Sequence, residues 1–378
     1  MHDVTGSVVI FSLILVVIAG FINGSFATPT KYMKKWNEEN IWFSFAFYGF
    51  LVLPWISIFV MAPDVLGILG NTSKAAIWTL VIGGVCFGLG QICFALAFKM
   101  IGLGINFVVN ISLGTAVTAL VALVKYNFLI ETAYGVLQII GIICFVVAIL
   151  FCASAGTERD KHKKMQAKQN KKDDKEGEKH STGYVIVGVI LAICAGVGSA
   201  CQGASYVLAN PAVVESAKAY STTGVNAATI AWVLVFTIAG IPYLLYFFFL
   251  SIKNGSFSKL GDKGTGIYWF YLLLMGIGFW GSLIFFSGAS SMIGGALAPT
   301  IAWPLFMVFI ILTSNFWGWF AGEWKGAGAK AGKKITFSLL LFIAAIIVFS
   351  CSILVKPDIT EHKKVVPRHH ATIELDSK

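Results

Sequence analysis

Ten stretches of this chain, each more than twenty residues long, contain no charged side chain, and that limits it to few folds. They run roughly over 6–28, 41–62, 75–98, 101–124, 133–154, 183–208, 225–250, 266–291, 293–320 and 335–355. About 20 apolar residues in a helix cross the hydrocarbon of a bilayer, so each run reads as a membrane helix. A membrane β-barrel is excluded, because its strands are shorter and alternate in polarity. Only 12% of the 378 residues are charged, against about 25% in a soluble domain. Polar groups cannot cover such a surface, and it must face lipid. The third and fourth runs nearly touch, as do the eighth and ninth, so tight reversals are expected at Lys99–Gly102 and Ser291–Gly295. The first run has no basic region ahead of it and exceeds a signal-peptide core, so it reads as a retained helix.

Basic residues in short connections set membrane orientation. The odd-numbered connections carry Lys31, Lys34 and Lys35; Lys99; nine basic residues between 155 and 182; Lys253, Lys259 and Lys263; and Lys325 and Lys330, followed by Lys333 and Lys334. The even-numbered ones carry only Lys74, Lys125 and Lys218. This asymmetry predicts odd connections in the cytoplasm and both termini outside an inner membrane, although the tail adds five basic residues. The segment "TERDKHKKMQAKQNKKDDKEGEKH" (157–180) mixes charges with no apolar period. It reads as a disordered or loosely helical cytoplasmic linker, in preference to a nucleic-acid or anionic-lipid patch.

A shift of 192 residues lays one half of the chain on the other. Gly84 meets Gly276, Phe87 meets Phe279, Ile92 meets Ile284, and Phe94 meets Phe286. "MIG" at 100–102 meets "MIG" at 292–294, Phe128 meets Phe320 and Glu131 meets Glu323. Each half then holds five helices, and an odd number inverts the second copy. Inverted repeats recur in secondary transporters, with substrate bound near the midplane between them. The expected organisation is a first repeat over 1–154, a charged linker over 155–182, a second repeat over 183–355 and a polar tail over 356–378.

Several motifs carry a family resemblance. "ETAYGVLQIIG" (131–141) resembles the entry to the fifth helix in drug/metabolite transporters. Within that superfamily, "KYMKKWNEENIW" (31–42), "LPW" (53–55) and "GEWKGAG" (322–328) resemble the rhamnose–proton symporter family. The first of these contains a W-x-x-E-x-x-W core. The resemblance spans both halves but not the linker. It implies a ten-helix permease importing a deoxysugar such as rhamnose with protons.

Polar residues inside a membrane are costly and face a cavity or a partner helix. The candidates for substrate contact are Asn23, Gln91, Asn106, Asn110, Gln202, Tyr206, Trp280, Thr300 and Trp303. Asn106, Asn110, Gly114 and Thr118 share one helix face by i, i+4 spacing. The repeat partners of the two asparagines are Ala298 and Ala302, so their polarity belongs to one half. Ser199, with Gln202 and Tyr206, marks a polar face on the sixth helix, and Ser287 and Ser291 lie beside Trp280. Carboxamides, hydroxyls and aromatics suit a neutral sugar, which needs hydrogen bonds at its edge and apolar contact on its ring face. The competing reading is hydrogen bonding between helices. Pro299 and Pro304 could break the ninth helix and expose carbonyls to substrate, whereas simple curvature is expected at Pro54 and Pro242.

No Asp, Glu or His falls within an apolar run. Glu39 and Glu215 are the candidate gates or proton sites, while Glu131 and Glu323 read as helix-end structure. Lys99, at a membrane edge, is expected to snorkel. All seven cysteines lie in apolar runs without ligand spacing and read as packing residues. "GAGAKAGKK" (326–334) lacks phosphate-loop spacing, and His369 and His370 have no partner spacing for a metal. No catalytic motif, metal site, cofactor or nucleic-acid partner is expected. The alternatives to sugar import are another drug/metabolite-type permease, exporting or exchanging a different metabolite, and a membrane enzyme or scaffold.

Overall fold

A computed structural model describes residues 6–126, 132–170, 182–294, 298–322, 324–352 and 355. All regular structure among them is helical. The helices are α1 (Gly6–Ser25), α2 (Glu38–Ala46), α3 (Leu53–Met61), α4 (Val65–Asn71), α5 (Lys74–Lys125), α6 (Ala133–Asn170), α7 (Thr182–Lys218), α8 (Gly224–Lys253), α9 (Gly266–Ile293), α10 (Trp303–Phe320) and α11 (Ala329–Ser352). Nine helical spans among the described residues are long and apolar enough to cross a membrane. The expected run at 101–124 is represented by a shorter apolar helix, Val109–Lys125. Two helices outrun their apolar cores. α7 continues to Lys218, and α6 continues through the first part of the expected linker to Asn170.

α5 is helical throughout its 52 residues but does not run straight. Asn106 Nδ2 donates to the carbonyl of Phe94 at 2.7 Å, and twelve residues of straight helix would separate them by about 18 Å. The chain therefore folds back between them, where the Met-Ile-Gly repeat predicts a reversal. The contacts of α7 trace both arms. Gly188 packs on Met100 and Ile101 at the bend; Gly198 and Ser205 pack on Cys86 and Gly83 of the descending arm; Gly196, Ser199 and Gly203 pack on Leu113, Gly114 and Thr118 of the ascending arm. A methyl added at Gly198 would lie 2.5 Å from the Cys86 carbonyl oxygen and 2.8 Å from the Gly90 Cα. Only small residues permit such close backbone approach, the usual device for joining helices in lipid.

A second group is built the same way. α1 lies against α9 and α10: Gly24 faces Thr313 and the Ile310 carbonyl at 2.6 and 2.7 Å from an added methyl, and Gly278 of α9 faces Phe26. α9 ends at Ile293 and is capped by Gly294, whose φ of 94° suits a residue without a side chain. α8 packs against α2, α3 and the descending arm of α5. α6 and α11 pair along their lengths, with Gly141 against Phe349, the Ser338 hydroxyl donating to the Ala148 carbonyl and Gln138 Nε2 donating to Ser352 Oγ.

Among the described residues two wide π turns adjoin the helices, Phe47–Val52 and Ala298–Ala302. Each directly precedes a helix with proline in its first turn, Pro54 in α3 and Pro304 in α10. Proline lacks an N–H and its ring crowds the carbonyl four residues back, so the backbone widens to keep its remaining hydrogen bonds. Pro54 thus sits beside a π turn where the sequence suggested simple curvature. Pro211 lies inside α7 and leaves the Val207 carbonyl without its helical donor. Lys125 Nζ supplies a replacement, donating to Val207 O at 2.7 Å and Leu208 O at 3.1 Å.

Candidate functional site

A cavity of about 20 Å³ lies where the ascending arm of α5, α7, α8, α9 and the Ala298–Ala302 turn converge. Tyr206, Trp232 and Trp303 line it, as do Thr118 and Ser290. The rings are layered. Tyr206 stacks on Trp232 with centroids 4.0 Å apart and planes 11° apart, and Trp232 lies near-parallel to Trp303 at 5.8 Å and 16°. The volume holds a water molecule, far less than the several hundred cubic ångströms of a small-molecule pocket. This is a closed site.

Buried polar groups without partners surround it. Trp232 Nε1, Trp303 Nε1, Ser287 Oγ and Ser290 Oγ make no hydrogen bond among the described residues. Tyr206 donates to the Ala228 carbonyl at 3.1 Å. A buried donor left unpaired costs about 1–3 kcal/mol, so the three on lining residues, Trp232, Trp303 and Ser290, call for a ligand or water to satisfy them. Toward the α1–α2 end the core is filled by Phe26, Phe45, Phe50, Phe236 and Phe279, with ring centroids 5.2–6.0 Å apart. Trp232 touches this plug through Phe236.

The candidate residues from sequence divide into groups. Tyr206 and Trp303 line the cavity, and Thr300 lies next to it, its hydroxyl 2.5 Å from that of Tyr134. Asn110 faces α7, where its Oδ1 accepts from Ser199 Oγ at 2.5 Å. Asn106 ties the α5 reversal. Asn23 of α1 donates to Ser282 of α9 at 2.8 Å, and Trp280 of α9 donates to Ser57 of α3 at 2.7 Å. Gln202 is buried on α7 and Gln91 is half-buried on α5. Trp232 was not distinguishable in sequence. It stands in "IAWVLVF" among apolar residues, and only the fold shows both its neighbours to be candidate residues.

Glu39 is the one buried carboxylate among the described residues. Its Oε1 accepts from Asn37 Nδ2 at 3.1 Å, Asn254 Nδ2 at 2.9 Å and Ser256 Oγ at 2.8 Å. Asn40 donates to the Ser256 carbonyl at 2.9 Å, and Lys259 Nζ donates to Asn37 Oδ1 at 2.9 Å. Trp36 packs edge-on against Tyr268 and Trp269, and Trp42 against Phe45. The W-x-x-E-x-x-W core thus fastens the start of α2 to the α8–α9 connection. "GEWKGAG" makes a comparable seam with α6. Trp324 lies under Arg159, His162 meets the Gly326 carbonyl, and Lys330 and Lys334 pair with Glu158 at 3.2 and 3.1 Å. Glu215 is exposed and paired with Lys218 at 2.6 Å, a surface contact of small energetic weight. Glu131, Glu323 and the tail lie outside the described residues.

A bundle of lipid-length helices around a small, aromatic-lined cavity is the build of a membrane carrier. The chain matches the L-rhamnose-proton symport protein (RhaT) family over residues 5–353, and it belongs to that family. That family is one of transporters, not enzymes. The chain is 24% identical over 329 residues to an L-rhamnose-proton symporter of Cronobacter sakazakii, covering 85% of this chain and 91% of that protein. It is also 24% identical over 353 residues to one of Yersinia pestis, covering 89% and 96%.

Proposed function

We propose that this protein imports a rhamnose-like deoxysugar together with protons by alternating access, through ten transmembrane helices arranged as two inverted five-helix repeats. The observation that carries this reading is a reciprocal exchange of helices. α7 lies between the two arms of α5, while α1 lies against α9 and α10. In the 192-residue overlay α7 corresponds to α1, and the arms of α5 correspond to α9 and α10. Each repeat therefore lends its first helix to the hairpin of the other. The α6–α11 pair joins the two corresponding last helices. Such an arrangement leaves the cavity between two exchangeable groups, as alternating access requires.

Glu39 is the proposed proton-linked latch. It is buried, and it bridges the repeats through Asn254 and Ser256. Glu215, open to solvent at the other end of the bundle, draws no such support. The described basic residues of the α1–α2, α8–α9 and α10–α11 connections gather at one end of the bundle, which supports a cytoplasmic position for that end. The proposed setting is the inner membrane with both termini outside and the linker cytoplasmic. A topology reporter fused after Lys378 is expected to read the outer side; a cytoplasmic signal reverses the orientation.

The direct test is uptake of radiolabelled L-rhamnose into proteoliposomes under an imposed pH gradient. Saturable uptake that collapses when a protonophore dissipates the gradient is the expected result. Saturable uptake indifferent to the gradient removes proton coupling. Absence of saturable sugar uptake removes the sugar and favours a carrier of another metabolite.

A further inference from the structure

The two tryptophans at the cavity do more than fill space. Their planes are 16° from parallel with centroids 5.8 Å apart. A saturated ring held between two aromatic faces needs about 7.5 Å, twice the 3.5–4.0 Å carbon contact distance. The gap between the planes is no larger than the centroid distance, so the pair is at least about 2 Å short of admitting one. The Ala298–Ala302 π turn immediately precedes Trp303, and π turns are frequent where a helix serves function. Passing between π and α hydrogen bonding there would shift Trp303 relative to α8, and hence to Trp232. At the rim stand the unpartnered donors Trp232 Nε1, Trp303 Nε1 and Ser290 Oγ. The rest of the wall includes Val207, Phe286 and Ala298, which offer a hydroxymethyl group no partner.

We propose that Trp232 and Trp303 open into a slot that takes the ring of a pyranose, and that Trp232 is a substrate-contact residue. This rests on the sugar-transport reading. The sugar's C–H face packs on the indoles, its hydroxyls satisfy the rim donors, and its 6-methyl group meets the apolar wall. A buried polar group without a partner is penalised, so the same wall selects against the 6-hydroxyl counterpart.

The test compares wild type, Trp232→Phe and Trp232→Leu in proteoliposomes at a fixed pH gradient. Phe342→Leu, in the α6–α11 pair away from the cavity, controls for lost core volume. KM for L-rhamnose is expected to rise about fivefold in Trp232→Phe, which loses one hydrogen bond. It should rise at least about tenfold in Trp232→Leu, which also loses the flat face. Phe342→Leu should lower thermal stability while leaving KM alone. Wild type should prefer L-rhamnose over L-mannose, its 6-hydroxyl counterpart. Rhamnose should also shift the tryptophan emission of wild type in detergent, and Trp232→Phe should lose most of that shift. If Trp232→Leu does not fold, the Phe variant and the emission shift decide. Unchanged KM and an unchanged emission shift in Trp232→Phe, with wild-type uptake intact, overturn the slot and leave sugar transport standing. No saturable uptake by wild type overturns both.

Discussion

Gly198→Val is expected to abolish the folded protein. Already the first carbon of a side chain at Gly198 would lie 2.5 Å from the Cys86 carbonyl oxygen and 2.8 Å from the Gly90 Cα. Both are backbone atoms, so no side-chain rotation relieves the contact. Overpacking in a core typically costs about 1–3 kcal/mol when neighbours can adjust; here a helix must move bodily, and the cost should exceed that range. The helix in question is α7, which is packed on both arms of α5, so displacing it from one arm displaces it from the other. The expected result is loss of the monodisperse peak in detergent. Gly70→Val, at a position with no neighbour within 4 Å of an added methyl, should retain it. A Gly198→Val protein that melts within about 2 °C of wild type would show that the interface is looser than these distances imply.

Substitution at Glu39 is expected to separate stability from coupling. Three donors converge on one carboxylate oxygen, and a hydrogen bond to a charged group contributes about 1.5–3 kcal/mol. Glu39→Ala removes the acceptor and strands donors that arrive from residues 215 and 217 positions away. Allowing for the partial exposure of Asn37 and Asn254, a loss of about 3 kcal/mol is expected, or roughly 5 °C in melting temperature. Glu39→Gln keeps an acceptor oxygen and the shape, but cannot exchange a proton at physiological pH. It should retain most of the stability and rhamnose counterflow while losing accumulation driven by a pH gradient. Gradient-driven accumulation at the wild-type rate in Glu39→Gln would remove Glu39 from the proton path.

The membrane class and most helix positions were legible because apolar length is a local property. The start of α8 at Gly224 and of α9 at Gly266 fall within a residue of the expected positions, since charge and glycine border those runs in sequence. The bend of α5 was legible too, through the repeated Met-Ile-Gly. What local pattern could not supply was pairing. Asn106 and Asn110 share a helix face, yet one serves the bend and the other meets α7, because the α5 hairpin and α7 approach that face at different heights. Glu39 stands out as an acid at a membrane edge, but two of its three partners lie more than 200 residues away. Trp232 carried no signal at all: an aromatic in an apolar run looks the same whether it faces lipid, packing or a cavity.

The reciprocal placement of α1 also sets a timetable for the nascent chain. The small-residue face of α1 finds its partners at Ile310 and Thr313, close to 290 residues after it has left the ribosome. At 5–20 residues per second, that is a wait of roughly 15–60 s. For most of it, Asn23 has no access to Ser282, from which 259 positions separate it, and its carboxamide must find water, lipid headgroups or a temporary protein partner. α7 faces no comparable delay, since both arms of α5 precede it. The two helices thus differ in biogenesis: α7 docks on a finished hairpin, and α1 must be sheltered until synthesis is nearly complete.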